Sequence, residues 1–207
     1  MKVAVTGVEV VHHLVAVISL RQEDPVAWRV NTEGVGTVAR AALRSGVRRM
    51  VSCGSLASYH YARGGTVHEG SARAADPRLP VYHRSKYHGE VELRKVVDAG
   101  LDALVCNPTG IYGPADHPDR LSRMNQALLD AARGKLPVRL LETVAPFVDP
   151  VARRFGSESF APAALENVAM SPVVDRTKAG AELGYEPRPT AETVADLVAF
   201  FGERGLL

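Results

Sequence analysis

The stretch Arg49-Met50-Val51-Ser52-Cys53-Gly54-Ser55 has the pattern of a short buried strand that runs into a turn of small residues. Three other apolar segments are predicted to be buried strands as well: Lys2–Thr6, Val10–Leu20 and Ala103–Cys106. Helical patterns separate them, one from Asp24-Pro25 to Gly46 and one from about Tyr82 to Ala99. This alternation predicts an α/β protein with a mainly parallel sheet flanked by helices.

The C-terminal part of the chain has a different pattern. Helices are predicted at Leu121–Ala132, between Asp175 and Gly184, and at Thr190–Gly202, whose Val194, Leu197, Val198 and Phe201 share one face. The segment 150–167 fits no single pattern. We therefore place a boundary near residue 136, between an α/β core at 1–135 and a smaller, mostly helical region at 136–207.

Composition and charge exclude several classes of protein. Apolar residues make up 46% of the 207 residues, as in ordinary globular proteins. The 25 basic and 23 acidic residues nearly balance, so we expect neither nucleic acid nor a membrane surface as a partner. Cys53 and Cys106 cannot form a disulfide framework, which favours a reduced, cytoplasmic compartment. No apolar stretch is long enough to span a membrane, and no signal-peptide pattern is present.

Tyr82 and Lys86 are the pair of residues that most strongly suggests chemistry. They lie four residues apart in a predicted helix, so both side chains project from one face. A free tyrosine has a pKa of about 10, and a nearby ammonium favours the phenolate that acid–base chemistry requires. Ser55 follows a strand end, where parallel sheets place functional groups. On the residues alone, two plainer alternatives remain: a chance Tyr-x-x-x-Lys spacing, and a serine that only forms a turn.

The order of the motifs resembles the extended short-chain dehydrogenase/reductase family, in its NAD-dependent epimerase/dehydratase and dihydroflavonol-reductase-like group. Seven segments carry the resemblance along the chain: Val5-Thr6-Gly7, Val11–Ala16, Asn31-Thr32-Glu33-Gly34, Ser52–Tyr59, the pair Tyr82 and Lys86, Asn107–Pro114, and Ser171–Pro189. The resemblance therefore covers nearly the whole chain.

The resemblance implies a Rossmann-like fold that binds NAD or NADP and acts on a hydroxyl or ketone of a small-molecule substrate, either a sugar nucleotide or a dihydroflavonol- or steroid-like compound. It implies catalytic roles for Ser55 (substrate oxygen), Tyr82 (general acid/base), Lys86 (phenol pKa and nicotinamide ribose) and Asn31 (proton relay). Cofactor contacts are implied for Gly7, Ala16, Tyr82, Lys86 and Pro108. No metal site is expected.

One part of the family pattern is missing. Gly7 is followed by Val8-Glu9-Val10-Val11, without the later glycines and the helix that receive the pyrophosphate. In the family the strands on either side of this point are parallel neighbours, which need a crossover of a dozen residues or more, so the resemblance implies a deletion here. It implies a second deletion near 136–139, where the family continues through another strand and a substrate-domain segment. The alternative is a truncated, non-catalytic homologue that binds the dinucleotide weakly or not at all. The shortened sheet also predicts reduced stability and an open edge that favours homodimerisation or aggregation.

Overall fold

Three parallel strands form the central sheet, in the order β1 (Val10–His13), β2 (Arg49–Cys53) and β4 (Ala103–Cys106). The register places Val11 beside Met50 and Met50 beside Ala103. The computed structural model describes residues 5–60, 65–114, 121–134 and 172–207. The predicted α/β class, with a parallel sheet and flanking helices, is confirmed.

One continuous helical segment connects β1 to β2. It comprises α1 (Pro25–Arg29), a π-helical turn (Val30–Gly34) and α2 (Val35–Arg44). Asp24 caps it as predicted, because its carboxylate accepts hydrogen bonds from the N–H groups of Val26 and Ala27, both at 3.0 Å. The helical segment ends in a turn at Gly46, whose φ of 68° glycine adopts without strain.

Helix α3 (Val81–Val97) packs with α2 against the sheet. The buried apolar core joins the two helices to β2 and to the segments around it: Val35, Ala39, Ala42, Val47, Met50, Leu93, Val96 and Leu101. A short 3₁₀ helix (Leu56–Ser58) and the two-residue strand β3 (Thr66–Val67) lie between β2 and α3 in sequence. From α3 this core takes Leu93 and Val96, so it holds the C-terminal half of that helix against α2 and β2.

The segment Val10–Leu20 differs from the expected strand. Only Val10–His13 pairs with a neighbour, and beyond it the side chains of Leu14, Val15 and Ile18 are 70%, 63% and 50% exposed. The main-chain N–H and C=O of Val17 instead bond to the Asn31 side chain, which takes the place of a strand partner. The predicted strand Lys2–Thr6 is wrong for Val5 and Thr6, which lie in a turn, and its first residues lie outside the described residues.

The described residues divide into two compact units, the first reaching Thr109 and including residues 172 and 173. The second unit contains α4 (Arg123–Ala132), α5 (Thr177–Leu183) and α6 (Thr190–Glu203), and the strand β5 (Val173–Val174) precedes α5. Its core comprises Leu129, Leu197, Phe200 and Phe201. The boundary predicted near residue 136, and the segment 150–167, lie outside the described residues.

The predicted apolar face of α6 is partly wrong. Leu197 and Phe201 are buried as expected, whereas Val194 and Val198 remain 36% and 43% exposed and Phe200 is buried instead. Asp175 was predicted to cap α5, but the capping position is Arg176. The Asp175 carboxylate still accepts from the N–H and the hydroxyl of Thr177, the first residue of the helix. None of the helices in the described part of the chain combines the length and apolar character that a membrane span requires.

Candidate active site

Ser55 lies just beyond the carboxyl end of β2 and is held at two atoms. Its backbone N–H donates to Asn107 Oδ1 at 2.7 Å, and its Oγ accepts from the N–H of Ala57 at 3.1 Å, which caps the 3₁₀ helix. Because Oγ already accepts one hydrogen bond from the backbone, its rotation is restricted and its O–H proton can be donated elsewhere. Ser55 therefore presents an oriented donor at the end of the sheet.

Lys86 is buried, with 6% of its surface exposed, and its ammonium reaches the same strand end. Nζ donates to the carbonyl oxygen of Cys53 at 2.7 Å. Burial lowers the pKa of Lys86. The electrostatic influence of Cys53 and Glu90 raises the pKa and offsets part of this effect. The ammonium is thus anchored to the last residue of β2.

Tyr82 lies in the first turn of α3, half-buried. Burial raises the pKa of its phenol, a hydrogen bond with Ser55 lowers it, and Cys53 raises it further. Sequence reasoning assigned the lowering to Lys86, whereas in the structure Ser55 is the group that favours the phenolate. The structure therefore brings Ser55, Tyr82 and Lys86 together at the carboxyl end of β2.

Asn31 is 1% exposed and lies in the π-helical turn. Its Oδ1 accepts from the N–H of Val17 at 2.9 Å, while Nδ2 donates to the Val17 carbonyl at 2.9 Å and to Ser85 Oγ at 3.0 Å. Both N–H donors are therefore used within the protein. Asn31 thereby joins the segment after β1 to Ser85 on α3, the residue before Lys86.

Of the remaining predicted cofactor-contacting residues, Gly7 and Ala16 lie apart from Ser55, whereas Pro108 lies beside it. Gly7 turns with a φ of 77° and is exposed, and Ala16 is exposed in the segment after β1. No hydrogen bond among residues 5–60, 65–114, 121–134 and 172–207 joins either of them to the Ser55 cluster. Pro108 is tied to that cluster, because its carbonyl accepts from the N–H of Leu56 at 3.0 Å.

Sequence reasoning missed an ion pair that borders the site. Arg73 pairs with Glu90, and its guanidinium lies 4.0 Å from the ring centroid of Tyr59 and 5.4 Å from that of Tyr87. Glu90 follows Lys86 by four residues on α3, so the helical spacing was the available signal. Arg73 also donates to Ser58 Oγ at 3.3 Å, which connects the pair to the 3₁₀ helix.

His13 ends β1, beside Ser52 in the parallel register. It is 7% exposed, and burial lowers the pKa of its imidazole, with the positive charge of Lys86 lowering it further. In the described part of the chain, no cluster of His, Cys, Asp and Glu side chains is suited to hold a metal ion.

A helix-flanked parallel sheet of this kind defines a Rossmann-like α/β protein. A family model described as "NAD dependent epimerase/dehydratase family" matches residues 2–149, and the chain belongs to that family. The membership predicted from the motifs is therefore confirmed, and with it the dependence of the family on NAD.

Known proteins resemble this chain at low sequence identity. Sterol demethylase protein B of Methylococcus capsulatus is 24% identical, over 99% of this chain and 82% of that protein. Among solved structures, gox2253 has a TM-score of 0.73 at 23% identity, covering 100% of this chain and 82% of that one. MoeE5, solved with UDP-glucose and NAD, has a TM-score of 0.68 at 19% identity, covering 100% and 83%.

The alignments also bear on the missing segments. The comparison with sterol demethylase protein B runs over 270 positions and takes in 99% of this 207-residue chain, so gaps fall within this sequence. This chain is therefore shortened internally relative to that protein. The link of only two residues between Gly7 and β1 is consistent with one such deletion.

Proposed function

We propose that this chain is a NAD-dependent oxidoreductase or epimerase that acts on a hydroxyl or ketone through Ser55, Tyr82 and Lys86. The observation that carries the proposal is that Lys86 Nζ reaches the Cys53 carbonyl, two residues before Ser55, from the helix that carries Tyr82 one turn earlier. The influence of Ser55 on the pKa of Tyr82 agrees with this placement. A phenol, a hydroxyl donor and a cation at one strand end are the groups that proton exchange with a carbinol oxygen requires.

Each side chain has a distinct task. The Ser55 hydroxyl, oriented by Ala57, donates to the substrate oxygen and holds it against the phenol. Tyr82 takes the proton of that oxygen when the alcohol is oxidised and returns it when the ketone is reduced. The Lys86 ammonium, placed by the Cys53 carbonyl, stabilises negative charge as it develops at this strand end. NAD, when bound, supplies or accepts the hydride.

The residues present fit the nicotinamide end of the cofactor better than its phosphate end. Lys86 carries an ammonium, and ammonium donors bind hydroxyl-bearing groups such as the nicotinamide ribose. At the phosphate end, β1 begins three residues after Gly7, and no helix starts between residues 5 and 24. The backbone donors that a helix N-terminus offers a pyrophosphate are therefore missing from this segment.

Two substrate classes agree with the relatives. MoeE5 is described with UDP-glucose bound, and a UDP-glucuronic acid 4-epimerase of Bacillus cereus shares the fold with a TM-score of 0.66. The curated relative is a sterol demethylase protein. We infer that the substrate carries a secondary hydroxyl or ketone on a sugar nucleotide or on a dihydroflavonol- or steroid-like ring system.

The test is NADH oxidation and NAD⁺ reduction, followed by the absorbance of the nicotinamide, against a panel of both substrate classes. Tyr82→Phe should lower turnover by about 10²- to 10⁴-fold, since it removes only the hydroxyl. Tyr87→Phe is the matched control, because it removes the same atom from the same helix. Equal activity of Tyr82→Phe and Tyr87→Phe would refute the assignment.

A second candidate is a non-catalytic homologue. The lack of a helix N-terminus for the pyrophosphate between residues 5 and 24 favours it. Turnover that stays undetectable across the panel, in a chain that still folds cooperatively, would make this the better description.

A further inference from the structure

Asn107 follows β4 directly and reaches across to the loop after β2. Its Oδ1 accepts the backbone N–H of Ser55 at 2.7 Å, a contact between residues 52 positions apart, and it lies 3.5 Å from the hydroxyl oxygen of Ser58. A backbone N–H can only donate, so the side-chain atom that faces it must be the amide oxygen. The orientation of the Asn107 amide is therefore fixed by its partner.

The hydrogen bonds on either side of the Ser55–Asn107 bond have a different kind of acceptor. The N–H of Gly54 donates to the Cys106 carbonyl at 2.8 Å, and the N–H of Leu56 donates to the Pro108 carbonyl at 3.0 Å. Those two bonds use backbone acceptors that any residue would supply. The N–H of Ser55, between them, is bonded by a side chain, so its alignment depends on the residue type at position 107.

Gly54 makes room for this contact. A Cβ built on Gly54 would lie 2.0 Å from Asn107 Oδ1 and 2.8 Å from Val105 Cγ1. Both distances are well inside van der Waals contact, so any side chain at position 54 would displace the Asn107 amide. The glycine and the asparagine thus form one arrangement, which delivers an acceptor to Ser55.

We propose that Asn107 is the positioning residue for Ser55. The inference rests on the proposed function, in which the Ser55 hydroxyl orients the substrate oxygen. Asn107 holds the Ser55 backbone from one side, and the Ala57 N–H holds Oγ from the other. With both atoms held, the Ser55 hydroxyl oxygen keeps one position, and Asn107 acts on the reaction only through Ser55.

The first test measures backbone amide hydrogen exchange in the full chain, and it requires no activity. Asn107→Leu keeps the branching of the side chain at Cγ but removes the acceptor, and should speed exchange at Ser55 by about tenfold. Asn107→Asp keeps an oxygen at that place and should restore protection. The amides of Gly54 and Leu56 are internal controls. Equal acceleration at all three, or none at Ser55, would overturn the proposal.

The second test measures turnover. Asn107→Leu should lower kcat by about tenfold, with the KM for substrate and the affinity for NAD⁺ unchanged, and Asn107→Asp should recover most of kcat. Unchanged kcat in a variant whose Ser55 amide has lost protection would overturn the positioning role. A chain without turnover would refute the proposed function, while the exchange experiment still decides whether Asn107 fixes Ser55. Should Asn107→Leu fail to fold, Asn107→Ala gives the same comparison without added bulk.

Discussion

Gly89 on α3 lies directly against the backbone of Asn31, so close that a Cβ on Gly89 would be 2.2 Å from the Asn31 carbonyl oxygen. This contact sets the separation between α3 and the π-helical turn. Since α3 also carries Tyr82 and Lys86, the same contact fixes how far those side chains reach toward the end of β2.

Gly89→Ala should therefore lower the free energy of unfolding by about 3 kcal/mol, because the atom it meets belongs to the backbone and cannot rotate away. Gly34→Ala is the matched control: its Cβ would lie 3.7 Å from the Arg29 carbonyl, in ordinary contact. That variant should be neutral or stabilised by up to about 1 kcal/mol. Urea denaturation measures both, and equal effects of the two would contradict the close contact.

Lys86→Met should reduce turnover by at least about 10²-fold while leaving the chain folded. The buried ammonium is lost, which removes its desolvation cost, but the Cys53 carbonyl loses its donor, and the two effects on stability oppose each other. Lys95→Met serves as control, because Lys95 is on the same helix and 64% exposed. Turnover and thermal melting of both variants check the prediction. An active Lys86→Met would remove Lys86 from the site.

Ser55→Ala should move the pH dependence of alcohol oxidation to higher pH. The hydrogen bond from Ser55 lowers the pKa of Tyr82, so its removal raises that pKa. Oxidation requires the phenolate as base, and a higher pKa delays its formation to more alkaline pH. The rising limb of kcat/KM against pH measures this shift, and an unmoved limb would show that Ser55 does not act on Tyr82.

The free energy of unfolding should fall on acidification below about pH 6.5. Burial lowers the pKa of both His13 and His83 in the folded chain. The unfolded chain therefore binds protons first as the pH falls, and stability continues to be lost until the folded-state pKa is passed. His13→Asn should make this decline shallower, whereas His12→Asn, at an exposed neighbour, should not. Denaturation at a series of pH values provides the comparison.

NAD⁺ should bind at least about tenfold more weakly than to an intact family member, because the helix N-terminus that receives the pyrophosphate is missing after Gly7. Under the proposed function, in which Lys86 holds the nicotinamide ribose, nicotinamide mononucleotide should then bind nearly as well as NAD⁺. Calorimetric titration of both measures the ratio. Much tighter binding of NAD⁺ would reveal a phosphate site elsewhere in the chain.

Local sequence patterns predicted the elements whose causes are local. The Asp24-Pro25 cap, strand β2 and strand β4 each follow from a few adjacent residues, and each is present. The spacing of Tyr82 and Lys86 likewise placed both side chains on one face of α3.

Features that depend on distant contacts could not be predicted. The Val10–Leu20 run has the composition of a strand, yet after His13 its backbone bonds to a side chain on the helical segment. Asn107 was noted only as part of a loop motif, because its contact with Ser55 joins residues 52 positions apart and leaves no local pattern. The π-helical turn at Val30–Gly34 escaped prediction since the sequence there fits a regular helix.

The parallel register has a consequence for the order in which the protein forms. Val10 pairs with Arg49 and Met50 with Ala103, so every step of sheet formation must close a long loop, which slows folding. During synthesis the helices can form as they emerge from the ribosome, but the Ser55 N–H lacks its folded-state acceptor until Asn107 has been synthesised. The candidate active site therefore assembles late, when the nascent chain has already presented the apolar surfaces of α2 and β2 to chaperones and to other chains.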